Sequence, residues 1–148
     1  MTNHLALSIE LPLSQDLAWK KIVDWQSQSD WMLQTKVWVD GNQVEGIGTR
    51  IAAFTGPFHK IYPRFSRIGI LDLMEVTTWQ APERCDVLHY GKIIKGTGTF
   101  AIASTSATTS RFDWSEDIEA PRLVFLLIAP FILLGVKISL ARFRSSLE

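Results

Sequence analysis

The sequence predicts an α+β fold in which a curved antiparallel β-sheet wraps around one long C-terminal α-helix. Segments that alternate apolar and polar residues with the period of a strand are clustered mid-chain, and do not alternate with helices. The chain then ends in an uncharged run, residues 123–136, followed by residues spaced as on an amphipathic helix. At 148 residues the chain is long enough to bury its own core, so we expect residues 1–148 to form a single domain.

Composition narrows the classes of partner and compartment. The chain has 15 basic and 15 acidic residues, so no basic face for nucleic acid is predicted. Cys85 is the only cysteine, so an intrachain disulfide cannot form and a reducing compartment is favoured. The first residues alternate like a strand and lack the basic start of a signal peptide, so we expect a cytoplasmic protein.

The N-terminal part predicts one strand and two short helices. Residues 4–11 alternate as in a half-buried strand, which Pro12 closes. Ser14 is placed to cap a helix that covers residues 17–25. A second helical turn is expected over residues 27–33, so both short helices follow the first strand.

The next segment predicts a hairpin and a long loop. The turn sequence Asp40-Gly41-Asn42 separates two strands, residues 35–39 and 47–54. Residues 58–67 then hold three aromatic and four basic side chains around Pro63. This loop is either a functional element or a solvated basic connector that rests on its aromatic rings, and the sequence leaves both open.

A second hairpin is predicted from residues 70–79 and 85–90, joined across Ala81-Pro82. If Gln80 faces Cys85, cross-strand neighbours alternate between the two faces of the pair. This register would put six residues on one face: Met74, Val76, Thr78, Val87, His89 and Gly91.

The last hairpin is predicted from residues 96–104 and 110–118. Pairing Phe100 with Phe112, and Gly98 with Trp114, gathers the aromatic rings on one face and leaves the charged residues on the other. A slip by one residue would put Phe100 on the charged face, so we reject it. Gly98 and its neighbour Gly96 would then leave room for Trp114 on a crowded concave surface.

The uncharged run at residues 123–136 must be covered by protein, by lipid or by a partner. As a helix it spans about 21 Å, which is shorter than the ~30 Å hydrocarbon core of a bilayer, so a buried helix is preferred to a transmembrane segment. Pro130 predicts a kink or a helix start. Leu134, Ile138 and Ala141 can share the face that packs inward.

Several short stretches, in this order, resemble the START-like superfamily, also called the Bet v 1-like or SRPBCC group. Within it they are similar to the bacterial branch of polyketide cyclase/dehydrase and lipid transport proteins. The resemblance covers nearly the whole chain and implies the helix-grip fold. The stretches are Ser8–Pro12 with Ala18-Trp19; Gly46-Ile47-Gly48-Thr49-Arg50; Met74-Glu75-Val76 with Trp79-Gln80-Ala81-Pro82; His89-Tyr90-Gly91; Gly96-Thr97-Gly98-Thr99-Phe100; and Arg111-Phe112-Asp113-Trp114-Ser115-Glu116.

The resemblance also implies a cavity between the sheet and the C-terminal helix that holds a small apolar molecule. We therefore predict that the protein binds or carries a small hydrophobic ligand, a lipid or a polyketide-like molecule. The expected lining comes from the inner faces of the strands and from the helix: Met74, Val76, His89, Phe100, Phe112, Trp114, Glu116, Phe131 and Leu134.

Two of these residues, His89 and Glu116, are also candidates for catalysis. An ionisable group on an apolar concave face is costly unless it is paired or neutralised, so each is placed for ligand orientation or proton transfer. A cyclase or dehydrase that uses them as base and acid is the alternative function. Structural roles stay open, since Glu116 could reach solvent and His89 could bond across the sheet. Asp72 is predicted on the same face of its strand as Met74, but we expect it at the rim of the cavity.

No cofactor or metal site is predicted. His4, His59 and His89 lack metal-ligand spacing, no nucleophile elbow is present, and no glycine pair precedes a helix as a phosphate loop requires. A third interpretation concerns partners other than a ligand. Residues 123–134 and the basic loop could form the surface of a homodimer or a peripheral membrane contact.

Overall fold

A computed structural model describes residues 2–148, in which seven strands form one curved antiparallel sheet. The strand order across the sheet is β1-β7-β6-β5-β4-β3-β2, so only the pairing of β1 with β7 joins distant parts of the chain. The strands are β1 (Thr2–Leu11), β2 (Thr35–Val39), β3 (Arg50–Thr55), β4 (Ile70–Gln80), β5 (Arg84–Tyr90), β6 (Lys95–Ser104) and β7 (Ser110–Glu119).

Two α-helices accompany these strands in the chain. Helix α1 (Gln15–Ile22) follows β1, and its first turn is capped by Ser14, whose Oγ accepts a hydrogen bond from the backbone N–H of Leu17. A 3₁₀ turn (Trp25–Asp30) comes next, and helix α2 (Arg122–Ser146) ends the chain. The predicted α+β class, with two short helices after the first strand and a long C-terminal helix, is confirmed.

The core lies on the concave face of the sheet. Alternate residues of the central strands point there, and Val87 and Phe112 are completely buried. Trp19 and Ile22 of α1 cover one part of this face, and α2 covers another part with Phe125, Leu140 and Phe143. The period-2 pattern therefore predicted correctly which face of these strands is apolar.

The register of β6 and β7 differs from the prediction by two residues. Phe100 pairs with Trp114, and Gly98 with Glu116. In this register Ser104 pairs with Ser110, and the turn between them is closed by hydrogen bonds of 2.7 and 2.6 Å between the hydroxyl group of Thr109 and those of Thr105 and Ser106. Because a two-residue shift conserves side-chain parity, the predicted face is still correct.

Strand β4 contains an irregularity that the sequence did not reveal. Val76 pairs with Val87, but the register shifts between Val76 and Thr78, as at a β-bulge. After the bulge, the residues of β4 that would have faced one side of the sheet face the other side. Trp79 therefore pairs with Cys85 and packs edge-on against Trp19, with 5.0 Å between ring centroids. The predicted placement of Thr78 on the same face is therefore wrong, and Gly91, also predicted there, follows the end of β5.

Helix α2 runs unbroken through Pro130, which is exposed. The predicted inner stripe of Leu134, Ile138 and Ala141 is wrong, since these residues face away from the core. The packed stripe instead contains Phe125, Ala129, Ile132, Val136, Leu140 and Phe143. In the most apolar stretch of α2 only 17% of the residues are buried, so the preference for a buried helix was also wrong there. By length and composition alone, α2 could cross a membrane.

Polar contacts hold α2 at both ends. At its start, Arg122 Nη1 donates to Asn3 Oδ1 at 3.0 Å. Near its end, the backbone N–H of Leu33 donates to Ser139 Oγ at 2.9 Å, and Arg142 Nη2 donates to the carbonyl oxygen of Asp30 at 3.1 Å. These contacts fix which side of the helix faces the sheet.

The basic loop between β3 and β4 folds back on the sheet. Tyr62 stacks on Trp38 and Phe54, at 5.0 and 4.6 Å between ring centroids. Phe54 lies on the convex face, because its neighbour Ala53 points into the core. Aromatic contacts on that face therefore order this loop.

Two phenylalanines of α2 test how the helix packs. Phe143 is 2% exposed and contacts Trp31, whereas Phe131 is 76% exposed. We expect Phe143→Ala to lower the free energy of unfolding by about 3 kcal/mol because it leaves a cavity. Phe131→Ala, the matched control, should change it by less than about 0.5 kcal/mol. Urea denaturation measures both, and equal losses would contradict this packing.

Candidate functional site

Three ionisable side chains meet on the concave face of the sheet. Asp72 comes from β4, His89 from β5 and Glu116 from β7. The predicted pair of His89 and Glu116 is thus brought together by the fold, and Asp72 joins it. We call these three residues the carboxylate–histidine cluster.

Glycine in β6 allows this cluster to form. β6 lies between β5 and β7, which are therefore about 10 Å apart. Gly98 pairs with Glu116, and a Cβ atom there would lie 2.9 Å from both carboxylate oxygens of Glu116. The absence of a side chain at Gly98 leaves the space in which Glu116 reaches His89. The prediction that this glycine makes room for Trp114 is corrected accordingly.

The cluster is short-range and mostly buried. His89 Nδ1 is 2.8 Å from Asp72 Oδ1, and His89 Nε2 is 2.6 Å from Glu116 Oε2. The side chain of His89 is 4% exposed, against 16% for Asp72 and 13% for Glu116. The histidine is thus enclosed, while each carboxylate keeps some accessible surface.

The two carboxylates determine the charge of His89. Burial lowers the pKa of His89, but the hydrogen bonds to Asp72 and Glu116 and their negative charges outweigh it and raise the pKa to about 10. At neutral pH the ring is therefore an imidazolium that donates both N–H groups. It has no free lone pair, so the predicted role of His89 as a general base does not fit this geometry.

Glu116 is the group with capacity for proton exchange. Burial raises the pKa of Glu116 above its ordinary value, and the hydrogen bond and charge of His89 oppose this only in part. The pKa values of His89 and Glu116 are both raised, so the cluster retains protons that free side chains would release. A raised pKa makes a carboxyl group a better proton donor at a given pH than an ordinary, fully ionised carboxylate.

The other predicted lining residues divide into two groups. The strand residues all share the concave face with the cluster, namely Met74, Val76, Phe100, Phe112 and Trp114. Val76 and Phe112 are fully buried in the core, but Met74 and Phe100 are only half-buried. Phe131 and Leu134 do not line this face, because both point outward from α2.

Asp72 is the residue that the sequence interpretation undervalued. The sequence predicts it at the rim, whereas in the structure it is half-buried and hydrogen-bonded to His89. Asp72 lies two positions before Met74 and therefore on the same face of β4. Because Met74 pairs with His89, Asp72 is a diagonal neighbour of His89, and this position is the sequence feature that could have indicated the contact.

Two surface depressions lie elsewhere on the molecule. One is lined by the end of α2 and Asp30, and the other by α1, the 3₁₀ turn and Val44. Neither is lined by a residue of the carboxylate–histidine cluster. Across residues 2–148, no three His, Cys, Asp or Glu side chains are arranged to hold a metal ion.

The raised pKa of His89 predicts a pH-dependent stability. The pKa of His89 is about 10 in the folded state and about 6.5 in the unfolded state. Its protonation therefore stabilises the folded protein fully below pH 6.5, and this stabilisation is lost as the pH rises toward 10. We expect the free energy of unfolding to fall by up to about 1.4 kcal/mol per pH unit between pH 6.5 and 8. This range avoids Cys85, whose unfolded thiol titrates near 9.0 and whose pKa burial raises to about 12 in the folded protein.

Urea denaturation across this range measures the effect, and the double variant His89→Gln/Glu116→Gln is the control that should abolish it, because it also removes the carboxyl group whose pKa burial raises. Nitrogen-15 NMR of the imidazole should show a ring that stays protonated at pH 8. A flat stability profile, or a ring that titrates near 6.5, would contradict the charged state described above.

Comparison by sequence finds no match. No family model matches the chain, and no curated protein is similar to it in sequence.

Comparison by structure finds many matches. A START superfamily protein from Mycobacterium smegmatis superposes with a TM-score of 0.75 at 11% identity, over 98% of this chain and 99% of the other. The ZhuI aromatase/cyclase from Streptomyces sp. R1128 gives 0.70 at 12%, over 99% and 92%. Norcoclaurine synthase from Thalictrum flavum, solved with dopamine and hydroxybenzaldehyde, gives 0.69 at 14%, over 99% and 86%. Identities this low show the fold alone, and the chain has the START-like helix-grip fold.

Proposed function

We propose that the protein binds a small, mostly apolar molecule between the concave face of the sheet and α2. The observation that carries this proposal is incomplete burial. Met74, Phe100 and Ile118 lie on the concave face, yet each is only half-buried, so solvent reaches parts of a surface that a filled core would exclude. Apolar side chains of α2 that point inward, Ile132 and Val136, are half-buried as well. A ligand that covers these groups gains affinity from the apolar area it removes from water.

The carboxylate–histidine cluster supplies the polar contact that would orient such a ligand. Both N–H groups of His89 donate hydrogen bonds within the cluster. The polar atoms that a ligand can reach therefore belong to Asp72 and Glu116. Carboxylate oxygens accept hydrogen bonds, which makes a ligand hydroxyl, phenol or amine the complementary group. The ligand we propose is therefore apolar over most of its surface and carries at least one hydrogen-bond donor.

Lipids and polyketide-like molecules both fit this description. START and aromatase/cyclase proteins are among the similar structures, which supports a ligand-binding use of the fold. Carriage of such a molecule in a bacterial cytoplasm is the form of this function that we favour.

Adjacent residues of β4 test the ligand site. Met74 points to the concave face and Leu73 to the convex face, and both are half-buried. Met74→Gln, a change that preserves size, should weaken binding of a neutral apolar fluorophore such as N-phenyl-1-naphthylamine by about tenfold, because it makes the contact polar. Leu73→Gln should leave binding within about twofold. Fluorescence titration measures both, and equal effects would contradict the site.

Native mass spectrometry of the purified protein complements this titration. We expect a bound molecule at one per chain, which organic extraction would release for identification. Loss of this molecule in Met74→Gln, together with its retention in Leu73→Gln, would place it on the concave face.

A second candidate function, a cyclase or dehydrase, is favoured by one observation. Glu116 is a buried carboxyl of raised pKa, 2.6 Å from an imidazolium that can return a proton to it. Such a group can protonate a ligand carbonyl oxygen or remove a proton next to it, which are steps of aldol-type cyclisation and dehydration. His89 then tunes Glu116 and is a positioning residue.

Glu116→Gln separates the two functions. Glutamine conserves the shape and one oxygen that accepts a hydrogen bond but cannot exchange the proton, so the variant should still bind the co-purified molecule, with Asp72 as the remaining carboxylate acceptor. If the protein is an enzyme, turnover of that molecule, or of a poly-β-ketone mimic, should fall at least about a hundredfold. Product analysis by liquid chromatography and mass spectrometry measures this. Turnover unchanged in the variant would exclude Glu116 as the catalytic acid.

A further inference from the structure

One side of α2 is apolar and uncovered over most of the helix. We call this side the outer face of α2, and it is formed by residues spaced by three or four positions that point away from the sheet. The exposed fractions of its large side chains are 72% for Leu123, 66% for Leu127, 76% for Phe131, 57% for Leu134 and 37% for Ile138.

The outer face is larger than a soluble monomer usually presents. Contiguous apolar patches beyond a few hundred Å² mark interaction sites. Here Val124, Leu126 and Ile128 extend the exposed apolar surface around the helix. The stretch has a mean hydropathy of 2.5 over eighteen residues, which is within the range of membrane segments. The chemistry of this surface therefore matches the interior of a lipid layer.

The charged side chains that α2 itself carries are all cationic, although Glu148, just beyond its end, pairs with Arg144 at 3.6 Å. The helix carries Arg122, Lys137, Arg142 and Arg144, and no acidic residue occurs between positions 120 and 147. On a helical projection Lys137 and Arg144 lie along one flank of the outer face, and Arg142 lies along the other. Such side chains can keep their cationic ends in water while their stems follow an apolar layer.

We infer that the outer face of α2 lies on an anionic lipid bilayer, with the helix parallel to the membrane plane. The apolar side chains enter the layer beneath the headgroups, and the flanking cations contact lipid phosphates. The helix does not cross the bilayer, because its opposite side packs on the sheet through Phe125 and Phe143 and both of its ends are hydrogen-bonded to the domain.

A second copy of the chain fits the outer face less well. In a symmetric dimer the same surface meets itself, so two helices without acidic residues would bring like charges together. An anionic surface instead meets the positive charges of Lys137 and Arg142, while Arg144 already has a partner in Glu148. Charge complementarity therefore selects the lipid surface as the occupant.

Vesicle co-sedimentation tests this proposal without any added ligand. We expect the protein to bind phosphatidylcholine vesicles that contain about 30% phosphatidylglycerol more tightly than pure phosphatidylcholine vesicles, and to lose part of this binding in high salt. The double variant Leu127→Asp/Phe131→Asp should lower binding to the anionic vesicles at least about tenfold, since it removes apolar area from the layer.

The matched control places the same change on another exposed apolar pair. Val44 and Ile47 are 61% and 65% exposed, and they lie in the connection between β2 and β3. Val44→Asp/Ile47→Asp should bind the anionic vesicles like the unmodified protein. Equal binding by the Leu127/Phe131 variant, or equal loss in both variants, would overturn the proposal.

Light scattering distinguishes a dimer. A mass near twice 16.7 kDa that Leu127→Asp converts to a monomer, without vesicle binding, would mean that a second copy covers the outer face and that the lipid proposal is wrong. Because these measurements need no bound ligand, their outcome is independent of the Met74 and Glu116 tests.

A fluorescent label gives a measurement that tolerates unstable aspartate variants. Cys85 is buried and its thiol is protonated, so a cysteine introduced by Phe131→Cys is the accessible labelling site. An environment-sensitive dye at this position should shift its emission to the blue on addition of anionic vesicles. The same dye in Ile47→Cys should not shift. No shift at position 131 would overturn the proposal.

Discussion

The buried positive charge of His89 is the interaction on which the site depends. It is stable in the protein interior only because Asp72 and Glu116 accept its two N–H groups, and these carboxylates come from strands on either side of it. Glu116 can reach it only across a strand that has no side chain at Gly98. The register of the central strands and the glycine at position 98 together allow this one hydrogen-bonded charge to form.

The sequence predicted the faces of the strands better than their registers. Side-chain parity survives a shift of two residues, so Phe100, Phe112 and Glu116 were assigned to the correct face with the wrong partners. The bulge after Val76 could not be predicted, because no proline or glycine marks it. Asp72 was undervalued for a related reason, since its contact with His89 depends on the register of β4 and β5.

The rotation of the first half of α2 could not be read from the sequence. Between Leu123 and Val136 every residue is uncharged, so no polar position indicates the outward side of the helix. The buried side of a helix can be predicted from the sequence only when its other side is polar, and here both sides are apolar. The polar contacts at Asn3, Leu33 and Asp30 fix the rotation, and they involve residues distant in sequence. As a result α2 has one apolar side that packs on the concave face and a second apolar side that faces the exterior.

At the ligand site that we propose, the enclosed imidazolium would also determine which ligands are rejected. His89 cannot turn a donor toward an incoming molecule without leaving a carboxylate unpaired, so the positive charge is unavailable to guests. Only the negative edges of the cluster are accessible, at Asp72 and Glu116. A fatty acid, phosphate ester or other anion would meet repulsion there. The concave face should therefore discriminate against acidic amphiphiles and admit sterol-like alcohols, phenols and amines of similar size.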